Sequence, residues 1–355
     1  MRLFQNGKLV KSDGFYRDIA KKESPEKVLL ASQNSRAIYQ EQRGIAVKEN
    51  KAANTATTAP KGDLVNECID IEPIAGENEI SVAAFNAPNT VQGSIETATF
   101  TSTRKADEPH LYILAVGIDT YQDSSINLKY AAKDANDFIA KLPVKAGSLY
   151  KPQNIHLTTL TNQKAGKQSI MNAINDLSTK IKHGDSFIFF DASHGVLLQN
   201  QYYIVTADFD GNLNNTNALI SSNEIVEMSK GIKSLSQLFI FDTCHAGGVD
   251  NIVSGLYDAR MVNLAKKMGL HIYASAGSVQ SALDGYQGNG LYTHTLLQGL
   301  ANGKEVDKEK SGKVTVVNLG QYSKEKTTEI STRLGHPQTP FIINFGRDNP
   351  LFSVQ

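Results

Sequence analysis

Between residues 109 and 348 the chain alternates short apolar runs with amphipathic stretches. The runs at 111–118, 154–161, 186–192, 238–243, 271–276 and 339–345 predict strands. The segments at 128–142, 169–181, 223–230, 257–268, 291–300 and 317–332 predict helices. Phe187-Ile188-Phe189-Phe190 and Leu238-Phe239-Ile240-Phe241 are uninterrupted, as strands buried on both faces are. Strands alternating with helices predict βαβ units, an α/β fold with a mostly parallel central sheet, and helices on both faces through right-handed crossovers.

The first hundred residues follow a different period. Asn6-Gly7 between apolar residues signals a two-residue hairpin. Residues 80–85 and 94–100 read as strands bounded by turn residues. Together they predict a small β-rich domain over 1–100, of immunoglobulin-like character. An Ala/Thr/Asn-rich insert near 48–61 has the composition of a disordered stretch. Residues 101–109, polar and charged, read as a linker to an α/β domain over 110–348.

Composition narrows the partners. Thirty-six Lys and Arg balance 36 Asp and Glu in a chain of 355 residues, which argues against a general binder of nucleic acid or anionic membrane. No apolar run approaches the roughly 18 residues of a membrane helix, and the first twenty residues lack a signal-peptide core. The two cysteines, Cys68 and Cys244, are too few for a secreted disulfide scaffold, so a reducing, cytoplasmic setting is expected.

The candidate chemistry lies at two strand ends. One run leads into Asp191-Ala192-Ser193-His194-Gly195 and the other into Asp242-Thr243-Cys244-His245-Ala246-Gly247-Gly248. Ligands of an open parallel sheet sit beyond the carboxyl ends of its strands, so an imidazole and a thiol are delivered to one edge. Each has a glycine nearby that lets substrate backbone approach. Thiol, imidazole and accessible backbone N–H groups are the parts that cysteine-based acyl transfer needs. His245 follows Cys244 directly and, with adjacent strand residues facing opposite ways, reads as structural. No zinc site, P-loop or dinucleotide fingerprint is present.

These motifs resemble those of caspase-like cysteine peptidases, in particular the metacaspase and bacterial orthocaspase branch. The resemblance includes Tyr112-Ile113-Leu114-Ala115-Val116-Gly117-Ile118-Asp119-Thr120-Tyr121, Leu128-Lys129-Tyr130-Ala131-Ala132-Lys133-Asp134-Ala135, Tyr273-Ala274-Ser275-Ala276 and Gly290-Leu291-Tyr292-Thr293-His294-Thr295-Leu296-Leu297. It implies a caspase-like sandwich with Cys244 as nucleophile, His194 as general base, and the N–H groups of Gly195 and Cys244 as oxyanion donors. It also implies an S1 pocket built from Asp134 and Asp242, hence cleavage after Arg or Lys. Asp242, two residues before Cys244, shares its strand face, and a carboxylate there pairs with a basic P1 side chain.

The chain departs from the commoner metacaspase pattern at Ala192 and Ala131, where a hydroxyl residue and a cysteine are frequent. Asp208 and Asp210 resemble an acidic turn behind the histidine, for which turn chemistry is the favoured reading over a calcium contact. Asp284 reads as a solvated loop charge. The partners expected are protein or peptide substrates, with the N-terminal β-domain as a docking module. No cofactor is expected, and calcium is left open as an activator. Two rival readings stand: the same dyad with acidic or Asn preference at P1, and a non-catalytic signalling module.

Overall fold

The structure is a computed structural model that describes residues 2–12, 71–85, 92–198, 201–213, 215–244, 268–277 and 280–354. The insert near 48–61, His245 and nearly all of the helix expected at 257–268 lie outside the described residues. The chain divides into two compact units, one of residues 1–12 and 74–355, the other of residues 13–73.

In the first unit, β1 (Arg2–Gln5) and β2 (Lys8–Ser12) form the hairpin that Asn6-Gly7 predicts. The turn residues have φ of 52° and 87°, as a type I′ turn requires. With β3 (Gly76–Phe85) and β4 (Gln92–Ser102) they make one antiparallel sheet, ordered β2-β1-β3-β4. Among the described residues this is a single sheet, not the two packed sheets of an immunoglobulin-like sandwich. Its hairpin turn is buried, and Lys8 Nζ donates to the carbonyls of Ser229 and Ser234 at 3.3 Å each. Burial of this ammonium lowers its pKa to about 7.

The α/β part runs through β5 (Leu111–Gly117), α1 (Ala131–Ala146), β6 (Ile155–Thr161), α2 (Lys167–Lys180) and β7 (Ser186–Ala192). It continues with β8 (His194–Leu198), β9 (Gln201–Val205), β10 (Leu219–Ser221), α3 (Ser222–Gly231), β11 (Ser236–Asp242) and β12 (Gly269–Ala274). It ends with α4 (Leu291–Ala301), α5 (Gly303–Val306), β13 (Lys313–Thr315), α6 (Val316–Arg333), β14 (Phe341–Gly346) and β15 (Pro350–Ser353).

The six-stranded central sheet is ordered β14-β12-β11-β7-β5-β6 and is parallel except where β14 meets β12. Alternate strand residues feed two cores. Phe187, Phe189, Phe239 and Phe241 pack on one face with Ile170 and Ile174 of α2 and Ile225 of α3. Ile188, Phe190, Leu238 and Ile240 pack on the other with Phe138 of α1, Leu296 of α4 and Leu319 of α6. Register places Ala192 beside both Gly117 and Asp242, so β5, β7 and β11 end side by side. Among the described residues no helix is long and apolar enough to cross a membrane.

Two local departures from the sequence reading bear on the site. The helix expected at 128–142 begins at Ala131, because Leu128 N–H bonds to the Asp119 carbonyl and Lys129 N–H to Asp284. It then continues past Pro143 to the fully buried Ala146, whose packing outweighs the bond that proline removes in the last turn. A second antiparallel sheet, β10-β9-β8, grows directly from His194.

Candidate active site

His194 is the residue at which the chain leaves β7 and Ser193 and enters β8. Its position is fixed from two sides. Its backbone N–H donates to the Tyr121 hydroxyl at 2.9 Å, and the two rings stand 5.2 Å apart. Its Nε2 lies 2.6 Å from the Ile126 carbonyl. A carbonyl only accepts, so Nε2 carries a proton, and in the neutral ring Nδ1 is the nitrogen with the lone pair. Among the described residues nothing hydrogen-bonds to Nδ1.

Cys244 follows β11 by two residues and is a free, partly buried cysteine. The turn that carries it is held by Tyr202, whose hydroxyl lies 2.7 Å from Thr243 Oγ1, and by Ser275, whose hydroxyl donates to the Thr243 carbonyl at 3.0 Å. The two turns meet at Gly195. A Cβ there would lie 2.4 Å from the Cys244 carbonyl oxygen and 2.7 Å from Thr243 Oγ1, so only glycine fits. Burial raises the pKa of the Cys244 thiol; the Ala282 N–H and Ser281 hydroxyl partly offset this, and Asp242 and Asp284 add to it. Among the described residues no hydrogen bond joins the thiol to His194. Such bonds are often absent without substrate.

Asp134 in the first turn of α1 and Asp242 at the end of β11 are both buried, at 2 % and 8 % exposure. Asn289 Nδ2 donates to Asp134 Oδ1 at 2.8 Å, and Gly290 N–H reaches both of its oxygens. Thr293 donates to Asp242 Oδ2 from its N–H at 3.0 Å and its hydroxyl at 2.6 Å. A Cβ on Gly290 would stand 2.9 Å from Asp134 Oδ2 and 3.0 Å from Asp242 Oδ2, so both carboxylates converge under one glycine. Burial raises the pKa of each, and at Asp134 the charge of Asp242 raises it further.

One cleft is lined by His194, Cys244, Asp134, Asp242 and Gly290, together with Asp284. Asp284, read from sequence as a loop charge, stands at the cleft with its Oδ2 accepting the Lys129 N–H at 3.1 Å. Asp208 and Asp210 are engaged in turns. The first lies 2.5 Å from Thr206 Oγ1, and the second accepts the Asn212 N–H at 3.0 Å. Among the described residues no group of three His, Cys, Asp or Glu side chains is arranged to hold a metal ion. Sequence reasoning missed Tyr121 and the Ile126 carbonyl. Tyr121 lies in the quoted first-strand motif, whereas a backbone carbonyl has no signature.

A cleft that holds a thiol, an imidazole with a free nitrogen and paired carboxylates has the parts for nucleophilic acyl transfer to a substrate bearing a positive charge. A family model described as Caspase domain matches residues 111–331. No curated protein sequence matches significantly. Among solved structures, a protein from Geobacter sulfurreducens aligns at 18% identity and a TM-score of 0.47, over 70% of this chain and 97% of that one. The Drosophila initiator caspase Dronc aligns at 13% identity and a TM-score of 0.47, over 68% of this chain and 81% of Dronc.

Proposed function

The chain belongs to the caspase domain family, and on that premise we propose that it is a cysteine endopeptidase that cuts protein substrates after Arg or Lys, using His194 and Cys244. The observation that carries the reading is the single cleft lined by His194, Cys244, Asp134 and Asp242.

In the proposed reaction the P1 side chain enters beneath Gly290 and its cation lies between the two carboxylates. His194 Nδ1 takes the thiol proton as Cys244 Sγ attacks the scissile carbonyl. The N–H groups of Gly195 and Cys244 hold the oxyanion. The imidazolium then protonates the leaving amine, giving a thioester and the first product. Water, losing its proton to His194, cleaves the thioester and restores the thiol. The raised thiol pKa favours this general-base route over a standing thiolate–imidazolium pair. The paired carboxylates favour a basic P1 over an acidic or asparaginyl one, since a third buried negative charge would be uncompensated.

The test is covalent trapping. A peptidyl-arginine acyloxymethyl ketone should label the wild type once, at Cys244, by peptide mass mapping. His194→Ala should slow labelling by at least about a hundredfold. Labelling elsewhere, or equal labelling by an aspartyl analogue, would defeat the reading.

A further inference from the structure

Asp191 stands in β7 three residues before His194 and is completely buried. It neighbours Phe241 of β11 and Val116 of β5 in register, on the sheet face that carries Phe189. Among the described residues its Oδ1 has no hydrogen-bond partner. Its Oδ2 lies 2.8 Å from Ser193 Oγ, which in turn lies 3.4 Å from the His194 carbonyl oxygen. The titratable groups that act on it are Tyr121 after β5, Tyr202 of β9 and Asp242 at the end of β11. None of these is a fixed cation.

Among the described residues a full negative charge in this place would keep one hydrogen bond and no counter-charge, which favours the neutral acid. Burial raises its pKa to about 7. Among the described residues the acid proton has one acceptor within reach, Ser193 Oγ. In the neutral acid Oδ2–H donates to Ser193 Oγ, the reverse of the bond that an ionised Asp191 accepts from the Ser193 hydroxyl, and the Ser193 hydrogen is released toward the His194 carbonyl. That chain holds the carbonyl side of His194 while Tyr121 holds its N–H side.

We propose that Asp191 is a positioning residue for His194, acting as a neutral acid through Ser193, and that its ionisation loosens the histidine turn. Once ionised, Oδ2 only accepts, so it draws the Ser193 hydrogen back from the His194 carbonyl. The inference rests on the reading of His194 as the catalytic base.

Asp191→Asn keeps a donor toward Ser193 and cannot ionise. Its kcat should match wild type within about threefold at pH 6, and wild-type kcat should fall below that of the variant as pH rises through about 7. Ser193→Ala should lower kcat by about tenfold at pH 6 with KM unchanged, because it misplaces the base without touching the substrate pocket, and the loss relative to wild type should shrink as pH rises through about 7. Independently of activity, infrared spectra should show a protonated-carboxyl band that shifts in Ser193→Ala, vanishes in Asp191→Asn and titrates near pH 7. Identical pH profiles in wild type and Asp191→Asn, or no such band, overturn the proposal. If Asp191→Asn does not fold, the wild-type and Ser193→Ala spectra decide it. If no form cleaves peptide, the dyad reading fails, and the band still decides the state of Asp191.

Discussion

Replacing Asp134 by Asn should move stability and activity in opposite directions, and the structure sets the size of the effect. The outer oxygens of Asp134 and Asp242 both lie within 3.0 Å of one point above Gly290, so they are less than about 6 Å apart. At an effective dielectric of about 20, two unit charges at that distance repel by about 3 kcal/mol. The substitution removes this repulsion. It also turns one accepting oxygen away from the Gly290 N–H, at about 1 kcal/mol. A net gain of about 2 kcal/mol remains when both groups would be ionised, or roughly 4–8 °C in Tm for a domain of this size. The sign depends on pH. Carboxyls whose folded pKa is raised weaken the fold as pH climbs above their unfolded value near 3.9, so the gain belongs to alkaline pH. At pH 4–5 Asp134 is uncharged, so the repulsion is absent and only the lost hydrogen bond should register. Thermal unfolding at pH 5 and pH 9, in a Cys244→Ala background that prevents self-digestion, measures this. In parallel, kcat/KM for an Arg substrate should fall about tenfold or more, equivalent to about 1.4 kcal/mol. A variant less stable at pH 9 than wild type would refute the repulsion argument. Unchanged activity on Arg substrates would refute the pocket.

Cys244→Ala and His194→Ala should each abolish cleavage without loss of folding, whereas His245→Ala should keep measurable activity; peptide hydrolysis and circular dichroism check both. Gly195→Ala forces a Cβ to 2.4 Å from the Cys244 carbonyl, so it should cost about 1–3 kcal/mol in urea unfolding and about a hundredfold in kcat. Lys8→Met should stabilise the protein at pH 6. The advantage should vanish by about pH 10, because a lysine with a depressed folded pKa burdens the fold only while it is charged. Arg104 and Lys105 are exposed and outside any helix or strand, so self-cleavage should fall there rather than at 302–313, where Asp307 gathers the N–H groups of Ser311 and Gly312 into a turn. Mass spectrometry of active protein beside Cys244→Ala reads this directly.

The sheet was legible where a strand is buried on both faces, because such a strand needs an unbroken apolar run, as β7 and β11 have. The hairpin was legible from Asn6-Gly7, which few other residue pairs replace at positive φ. Short, half-buried β8, β9 and β10 carry no comparable pattern, although Tyr202-Tyr203-Ile204-Val205 marks the middle one. At the site, the residue types near each strand end were readable and their convergence was not. Asp134 and Asp242 meet because β5, β7 and β11 end in register and Gly290 leaves room between them. The Ile126 carbonyl that sets the His194 tautomer, and the isolation of Asp191, belong to packing and appear only once the chain is folded.

The central claim is that Cys244 cleaves peptides after a basic residue seated on Asp134 and Asp242. It is tested most directly by kcat/KM on four otherwise identical fluorogenic peptides with Arg, Lys, Asp or Asn at P1, with and without calcium, for wild type and Cys244→Ala. The account predicts turnover of the Arg and Lys peptides at least about a hundredfold above the Asp and Asn peptides, and none in the variant. Preference for Asp or Asn, or turnover that survives loss of the thiol, would contradict it.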